Sequence, residues 1–265
     1  MRYAARTHPG RRGGQNEDSI GWHEASGLYF VADGMGGHAS GDVASRLVKE
    51  TLLGNALHLP LRAAVKRAHE EVAQAAADNT AHSNMGSTVV AIRIEDRHAE
   101  IAWVGDSRAY LFRRGSLRQL SRDHSYLEVL REQENLTETQ LRGHPNKNLV
   151  TQTLGIGTPE PSSITEPLRK GDWLLLCSDG LNDELEDAEI AKILRTHSAP
   201  DAAADALIAA ALAHGGRDNV SAVLVEYDGR NGVSFDQKTI LWLAVVGGAC
   251  AAILLAILWW WFYGR

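Results

Sequence analysis

Leu28-Tyr29-Phe30-Val31-Ala32-Asp33-Gly34-Met35-Gly36-Gly37-His38-Ala39-Ser40-Gly41-Asp42 is the stretch from which the rest of the chain is read. Leu28 to Val31 is a short apolar run of the kind that forms a buried strand, and it gives way to a carboxylate and a glycine-rich turn. Gly34, Gly36 and Gly37 have no Cβ, so the backbone can turn sharply and its carbonyl or N–H groups can approach an ion or a phosphate. A carboxylate at the C-terminal end of a buried strand is a rigid oxygen ligand, suited to Mg²⁺ or Mn²⁺. A plain strand–turn–helix with Asp33 as a cap fits the same residues, and this stretch alone leaves both open.

Upstream, Ser19 to Trp22 predicts a strand pairing with residues 28 to 32 as a hairpin, which brings Glu17 and Asp18 toward Asp33. Arg6, Arg11 and Arg12 stand nearby. Arginine grips phosphate oxygens with a planar fork, although Arg6 reads better as part of a solvated arm. Downstream, apolar spacing predicts helices over Gly41–Leu57 and Leu61–Asn79. Strands follow at Gly86–Ile94, Ala99–Val104 and Ala109–Phe112, with Asp106 in the turn Gly105-Asp106-Ser107-Arg108; Gly-Asp is also ordinary turn chemistry. Residues 121–160 are weakly patterned, with short helices near Leu127–Glu134 and Thr137–Arg142, and read as a cover over a site. Trp173 to Cys177 is a second apolar strand running into Asp179-Gly180. Helices at Asp187–His197 and Asp201–His214 lead to Asp218-Asn219 and the strand Val220–Tyr227.

Asp33, Asp179 and Asp218, with Asp18 and Asp106 as further candidates, thus each flank a strand end and a glycine turn. Clustered carboxylates repel one another unless cations neutralise them. An oxygen-only ligand set favours Mg²⁺ or Mn²⁺ over zinc. Two such ions about 3.5–4 Å apart can activate a water and clamp a phosphate. The residues themselves point to metal-assisted phosphate chemistry, provided that the aspartates converge.

The 265 residues carry a net charge of −6 and 44% hydrophobic residues, a globular composition without the basic stripe of a nucleic-acid binder. Cys177 and Cys250 form neither a disulfide framework nor a zinc pattern. Thr239 to Gly264 is 26 residues without a formal charge, longer than the roughly 20 needed to cross a bilayer. Trp259, Trp260, Trp261 and Tyr263 at its end suit a membrane–water interface. The expectation is a globular domain over 1–228, a short linker over 229–238, and a transmembrane helix over 239–263. The N-terminus lacks the apolar core of a signal peptide, so the domain is expected on the cytoplasmic face.

Asn16-Glu17-Asp18, Asp33-Gly34-Met35-Gly36-Gly37, Gly86-Ser87-Thr88, Gly105-Asp106-Ser107-Arg108, Ser178-Asp179-Gly180-Leu181 and Asp218-Asn219, in this order, resemble the PP2C (PPM) family of serine/threonine phosphatases over about residues 3–228. Met35 and His38 look like its bacterial members, which implies the inner membrane of a bacterium as the location. The resemblance implies an α+β, four-layer αββα sandwich of two antiparallel sheets flanked by helices. It implies two metal ions, or three, bound by Asp33, the Gly34 carbonyl, Asp106, Asp179 and Asp218, with Asp18 orienting water. Residues 121–160 match the variable flap. The implied activity is hydrolysis of phosphoserine or phosphothreonine in substrates of a Ser/Thr kinase, by a hydroxide that bridges the metals.

Two departures stand out. The family's phosphate-binding Arg falls at Gly13, so Arg12 or Arg11 must take its role, or that contact is lost. Met35 replaces a His common in eukaryotic members. His38 is a candidate proton donor but reads better as structural, and Glu17 and Asn219 read as supporting residues. Two alternatives remain: a non-catalytic phosphoprotein-binding scaffold at the bilayer, and a phosphatase dedicated to one partner-switching regulator.

Overall fold

The computed structural model describes residues 1–36, 40–79, 84–134 and 149–229. Its frame is two antiparallel sheets packed face to face. One runs in the order β1 (Arg2–His8), β11 (Val220–Glu226), β10 (Trp173–Cys177), β7 (Arg108–Arg113), β8 (Ser116–Gln119). The other runs β2 (Asp18–His23), β3 (Leu28–Met35), β5 (Val89–Glu95), β6 (His98–Val104), β9 (Ser162–Pro167), with the short β4 (Gly86–Ser87) paired to the end of β3. Helices α1 (Gly41–Gly54) and α2 (Leu61–Asp78) cover the second sheet. Helices α5 (Asp187–Thr196) and α6 (Pro200–His214) cover the first. Two shorter helices, α3 (Tyr126–Glu134) and α4 (Asp179–Asn182), complete the elements.

The central strands are apolar without interruption because both of their faces are buried. In β3, Leu28, Phe30 and Ala32 pack under α1 and α2, while Tyr29 and Val31 point into the layer between the sheets. In β11, Val220, Ala222 and Leu224 meet α5 and α6, and Val223 and Val225 face the other sheet. The expected four-layer αββα sandwich is therefore observed.

Several local expectations change. Residues 2–8 are not a solvated arm. They pair with β11 in register from Arg2↔Glu226 to His8↔Val220, and the Arg6 guanidinium reaches Asp201 at 3.1 Å and Asp205 at 2.6 Å on α6. The polar sequence hid this strand because its ladder is made by backbone groups. β8 and β9 were likewise absent from the sequence reading: both are edge strands, with exposed positions where a central strand is apolar. β3 runs on to Met35, so Asp33 lies within the strand rather than at its last residue. The strand expected over 86–94 is interrupted at Thr88, and α1 stops at Gly54, three residues short of Leu57. Among the described residues no helix is long and apolar enough to cross a membrane. The span expected over 239–263, the helix expected near Thr137–Arg142, His38 and Cys250 lie outside the described residues.

The three-layer burial sets the energetic ranking of positions. Leu224→Ala, at a side chain with no exposed surface, should destabilise the domain by about 2–5 kcal/mol. Leu57→Ala, at 66% exposure, should change stability by less than about 0.5 kcal/mol. Urea unfolding followed by tryptophan fluorescence compares the two.

Candidate active site

Strand direction alone brings the aspartates to one end of the sandwich. In the second sheet Asp18 starts β2 and lies directly opposite Asp33 on β3. In the first sheet Asp179 follows the end of β10, and Asp218 precedes the start of β11, its antiparallel neighbour. Asp106 lies in the turn between β6, which ends beside the start of β5, and β7, which starts beside the end of β10. Period-two alternation from Tyr29 and Val31 turns the Asp33 side chain toward the gap between the sheets. The charges of Asp18, Asp179, Asp106 and Asp218 all act on Asp33.

Close backbone approach fixes the glycines. A Cβ on Gly34 would lie 1.9 Å from the Gly41 carbonyl oxygen, and one on Gly180 would lie 2.0 Å from that of Asn219. Both are far inside van der Waals contact, so a side chain at either position must displace backbone. On Gly180 the same Cβ would come within 3.5 Å of the Asp218 Cβ, which places the Asp179-Gly180 turn against the Asp218 loop.

Polar side chains across the gap hold the carboxylates. Asp18 Oδ2 accepts from Ser178 Oγ at 2.8 Å and Ser221 Oγ at 2.6 Å, so Asp18 of one sheet is tied to the ends of β10 and β11 in the other. Asn16 Oδ1 accepts from the Asp18 N–H at 3.1 Å. Around Asp33, the backbone N–H donates to Thr88 Oγ1 and the carbonyl accepts from the Thr88 N–H and from Ser87 Oγ, while Thr88 Oγ1 and Ser107 Oγ lie 2.7 Å apart. Asn219 Oδ1 accepts from the Glu17 N–H at 2.8 Å. Glu17 itself turns to α1, where the Gly41 N–H donates to its carboxylate. It thus supports the start of α1 while still feeling the charge of Asp218.

Ser221 had no role in the sequence reading. Its signal was a hydroxyl on an otherwise apolar buried strand, a position that needs a polar partner.

The electrostatics are strained. Burial pushes the Asp33 carboxyl well above the usual range, and the charges of Asp18, Asp179, Asp106 and Asp218 add to the shift. Asp179 is raised by burial and then by Asp106 and Asp218. Asp18 and Asp106 are each pushed up to about 6, mainly by burial. Asp33, Asp106 and Asp179 still keep some accessible surface. Asp106 and Asp179 line a cleft of about 660 Å³ that is walled by Arg108, Asp123, Asp183 and Asp187, and Asp33 lies outside that lining. Arg108 is held by Asp123 at 2.6 Å.

The site belongs to a known family. A family model for protein phosphatase 2C matches residues 7–224. The chain belongs to the protein phosphatase 2C family. It is 36% identical over 238 residues to the serine/threonine phosphatase Stp of Listeria monocytogenes, covering 84% of this chain and 94% of that one. It superposes with a TM-score of 0.77 and 34% identity on the catalytic domain of the phosphatase PstP in complex with two manganese ions, covering 85% of this chain and 97% of that one. It also superposes with a TM-score of 0.73 and 37% identity on PppA, a regulatory component of the type VI secretion system of Pseudomonas aeruginosa, covering 85% and 96%. This phosphatase is therefore a bacterial-type protein serine/threonine phosphatase, and its cofactor is Mg²⁺ or Mn²⁺.

The donor set fits such ions. Among the described residues no group of three or more His, Cys, Asp or Glu side chains is placed to hold a metal ion, so an ion here would take most of its ligands from water and backbone oxygens. The aspartates nonetheless present oxygens to which no N–H or hydroxyl donates, although Asp18 also meets the Asp33 carboxyl. Asp18 Oδ1 and Asp179 Oδ1 are buried without a hydrogen-bond partner. Hard-cation chemistry is what an all-oxygen, water-completed set serves best.

The raised carboxyls make a signed prediction. Asp18 and Asp106 titrate at about 6 in the fold, above the roughly 3.9 of an unfolded Asp. The stability they contribute is complete below the unfolded value and is lost as pH rises through the folded one. In EDTA the domain should therefore melt at a lower temperature at about pH 7.5 than at about pH 5. Excess Mn²⁺ should raise Tm more at the higher pH, because the ions bind the ionised groups. Scanning fluorimetry giving the same Mn²⁺ shift at both pH values would contradict this account.

Proposed function

We propose that the phosphatase hydrolyses phosphoserine and phosphothreonine by direct attack of water in line with the ester bond, without a phosphorylated enzyme. Asp179 and Asp218 would hold one ion, and Asp33 with the Gly34 carbonyl a second. Asp106 with Asp179 would offer a third position. When bound, these ions supply Lewis acidity, which lowers the pKa of water and neutralises charge on the transferring phosphoryl group.

The chain's own residues do the positioning. Ser178 and Ser221 occupy Asp18 Oδ2, which leaves Oδ1 as the acceptor that orients the attacking water. Thr88 and Ser87 fix the Asp33 backbone, so its carboxylate keeps one direction. The water oxygen bonds to phosphorus as the ester oxygen leaves, and the products are the free hydroxyl side chain and inorganic phosphate. The single observation that carries this reading is the buried, unpartnered carboxylate oxygens on Asp18 and Asp179 at the meeting point of the two sheets.

Arg12 is assigned to the phosphate. It is exposed and precedes Gly13 and Gly14, at φ 73° and 126°, a backbone that lets it swing over the cleft. Arg11 is the competitor, because its N–H donates to the Gly216 carbonyl at 2.7 Å, two residues from Asp218.

The uncharged run over 239–263 supports a single C-terminal membrane anchor with the phosphatase domain on the cytoplasmic side of a bacterial inner membrane. Restriction to one regulatory phosphoprotein is compatible with the same chemistry.

The full chain should hydrolyse an aryl phosphate with Mn²⁺ and stop in EDTA, and activity that survives chelation would reject the mechanism. Asp33→Asn should lower kcat by at least about a hundredfold while leaving circular dichroism unchanged. Arg12→Ala should raise KM for a phosphopeptide by about tenfold with a smaller effect on kcat. A larger effect from Arg11→Ala would move the phosphate contact to Arg11.

A further inference from the structure

Met35 is an apolar side chain in the wrong place for packing. It is 41% exposed, although it ends the most buried strand of the second sheet. Strand periodicity puts it on the same face as Asp33, two residues along, which is about 6.5 Å. It therefore stands at the lip of the acidic site.

Ile156 is the second such residue, at 44% exposure. Met35 pairs in register with Gly86 of β4, so a side chain at 86 would project from the same face as Met35, with Cβ atoms about 4.5–5.5 Å apart. Glycine leaves that place open, and Ile156 fills it: a Cβ on Gly86 would lie 3.1 Å from Ile156 Cδ1. Ile156 therefore sits beside Met35.

The turn that presents Ile156 is anchored. Leu154 and Ser87 exchange backbone hydrogen bonds at 2.8 and 3.1 Å, and Thr153 bridges Ile156. The Gly155 N–H donates to His69 Nδ1 on α2 at 3.0 Å. Gly155 has φ +88°, and a Cβ there would meet Val72 at 2.5 Å. Burial lowers the His69 pKa, which keeps Nδ1 available as an acceptor. A surface turn pinned this firmly, with its apolar residue facing outward, is built to hold that residue in position.

We propose that Met35 and Ile156 form an apolar shelf at the edge of the active site that receives an apolar side chain of the phosphoprotein close to its phosphorylated serine or threonine. The inference rests on the phosphatase reading above. The occupant is fixed by continuity: the shelf shares the Asp33 face, so a polypeptide that places its phosphate at the aspartates must run past it. Exposed Met and Ile gain only from an apolar neighbour, since they offer a substrate charge nothing. His69 acts as a positioning residue through Gly155.

The test uses the full chain with Mn²⁺ and phosphothreonine peptides that differ only in carrying Leu or Gln at one position near the phosphothreonine. At one position Leu should raise kcat/KM by about tenfold, the discrimination an apolar pocket commonly gives. Met35→Gln and Ile156→Thr should each bring the Leu/Gln ratio to within about twofold of one. His69→Leu should lower the ratio, and His69→Asn, whose amide oxygen can replace Nδ1 as acceptor, should restore it. No preference in the wild-type chain, or a preference that survives Met35→Gln and Ile156→Thr, overturns the shelf. Hydrolysis of an aryl phosphate by the wild-type chain is followed in parallel. If that fails, the phosphatase reading falls; if it holds while peptide discrimination is absent, the shelf alone falls.

Discussion

Negative charge held where protein surrounds it is the constraint around which this molecule is built. Asp33 meets Asp18 from the neighbouring strand, and it feels Asp179, Asp106 and Asp218 from other elements. In water such groups would separate. Here each stands in or beside a strand whose position follows from the apolar layer between the sheets. The fold thus stores an electrostatic imbalance that divalent cations relieve. That imbalance is why metal dependence and stability belong to one problem in this family.

The hydroxyl residues around the site explain how the imbalance stays organised. Ser178 and Ser221 reach from one sheet to Asp18 in the other, and Thr88 links the Asp33 backbone to Ser107. These bonds cross between elements far apart in the chain. They hold the carboxylates in one arrangement before any ligand arrives, which is the preorganisation that electrostatic catalysis needs. The acidic centre and the apolar rim then divide the work: one handles the phosphate common to all substrates, and the other meets the part of the substrate that differs.

The central elements were legible in the sequence because their pattern has one cause. Trp173–Cys177 and the strand from Leu28 are apolar because both of their faces are buried, and they were placed within a residue or two; the edge strand at Ser19–Trp22 was found through its hairpin with Leu28. Arg2–His8, Ser116–Gln119 and Ser162–Pro167 were missed for the converse reason. Edge strands are held by backbone ladders and carry polar side chains, so no periodicity marks them. Glu17 reads in the sequence only as a supporting residue, and the approach of Gly41, whose N–H meets its carboxylate, gives it that place beside the helix.

Residue types and order determined, without coordinates, that this chain offers aspartates beside glycine turns and has the motif series of a phosphatase, because local chemistry and spacing are properties of the sequence. Which oxygens of those aspartates remain free, which serines hold them, and which apolar side chains border them depended on contacts between segments 54 to 203 residues apart for the serines, and on the pairing of Met35 with Gly86 for the apolar rim. Only the tertiary structure decided those, since antiparallel register and sheet-on-sheet packing set them, and neither leaves a local signature.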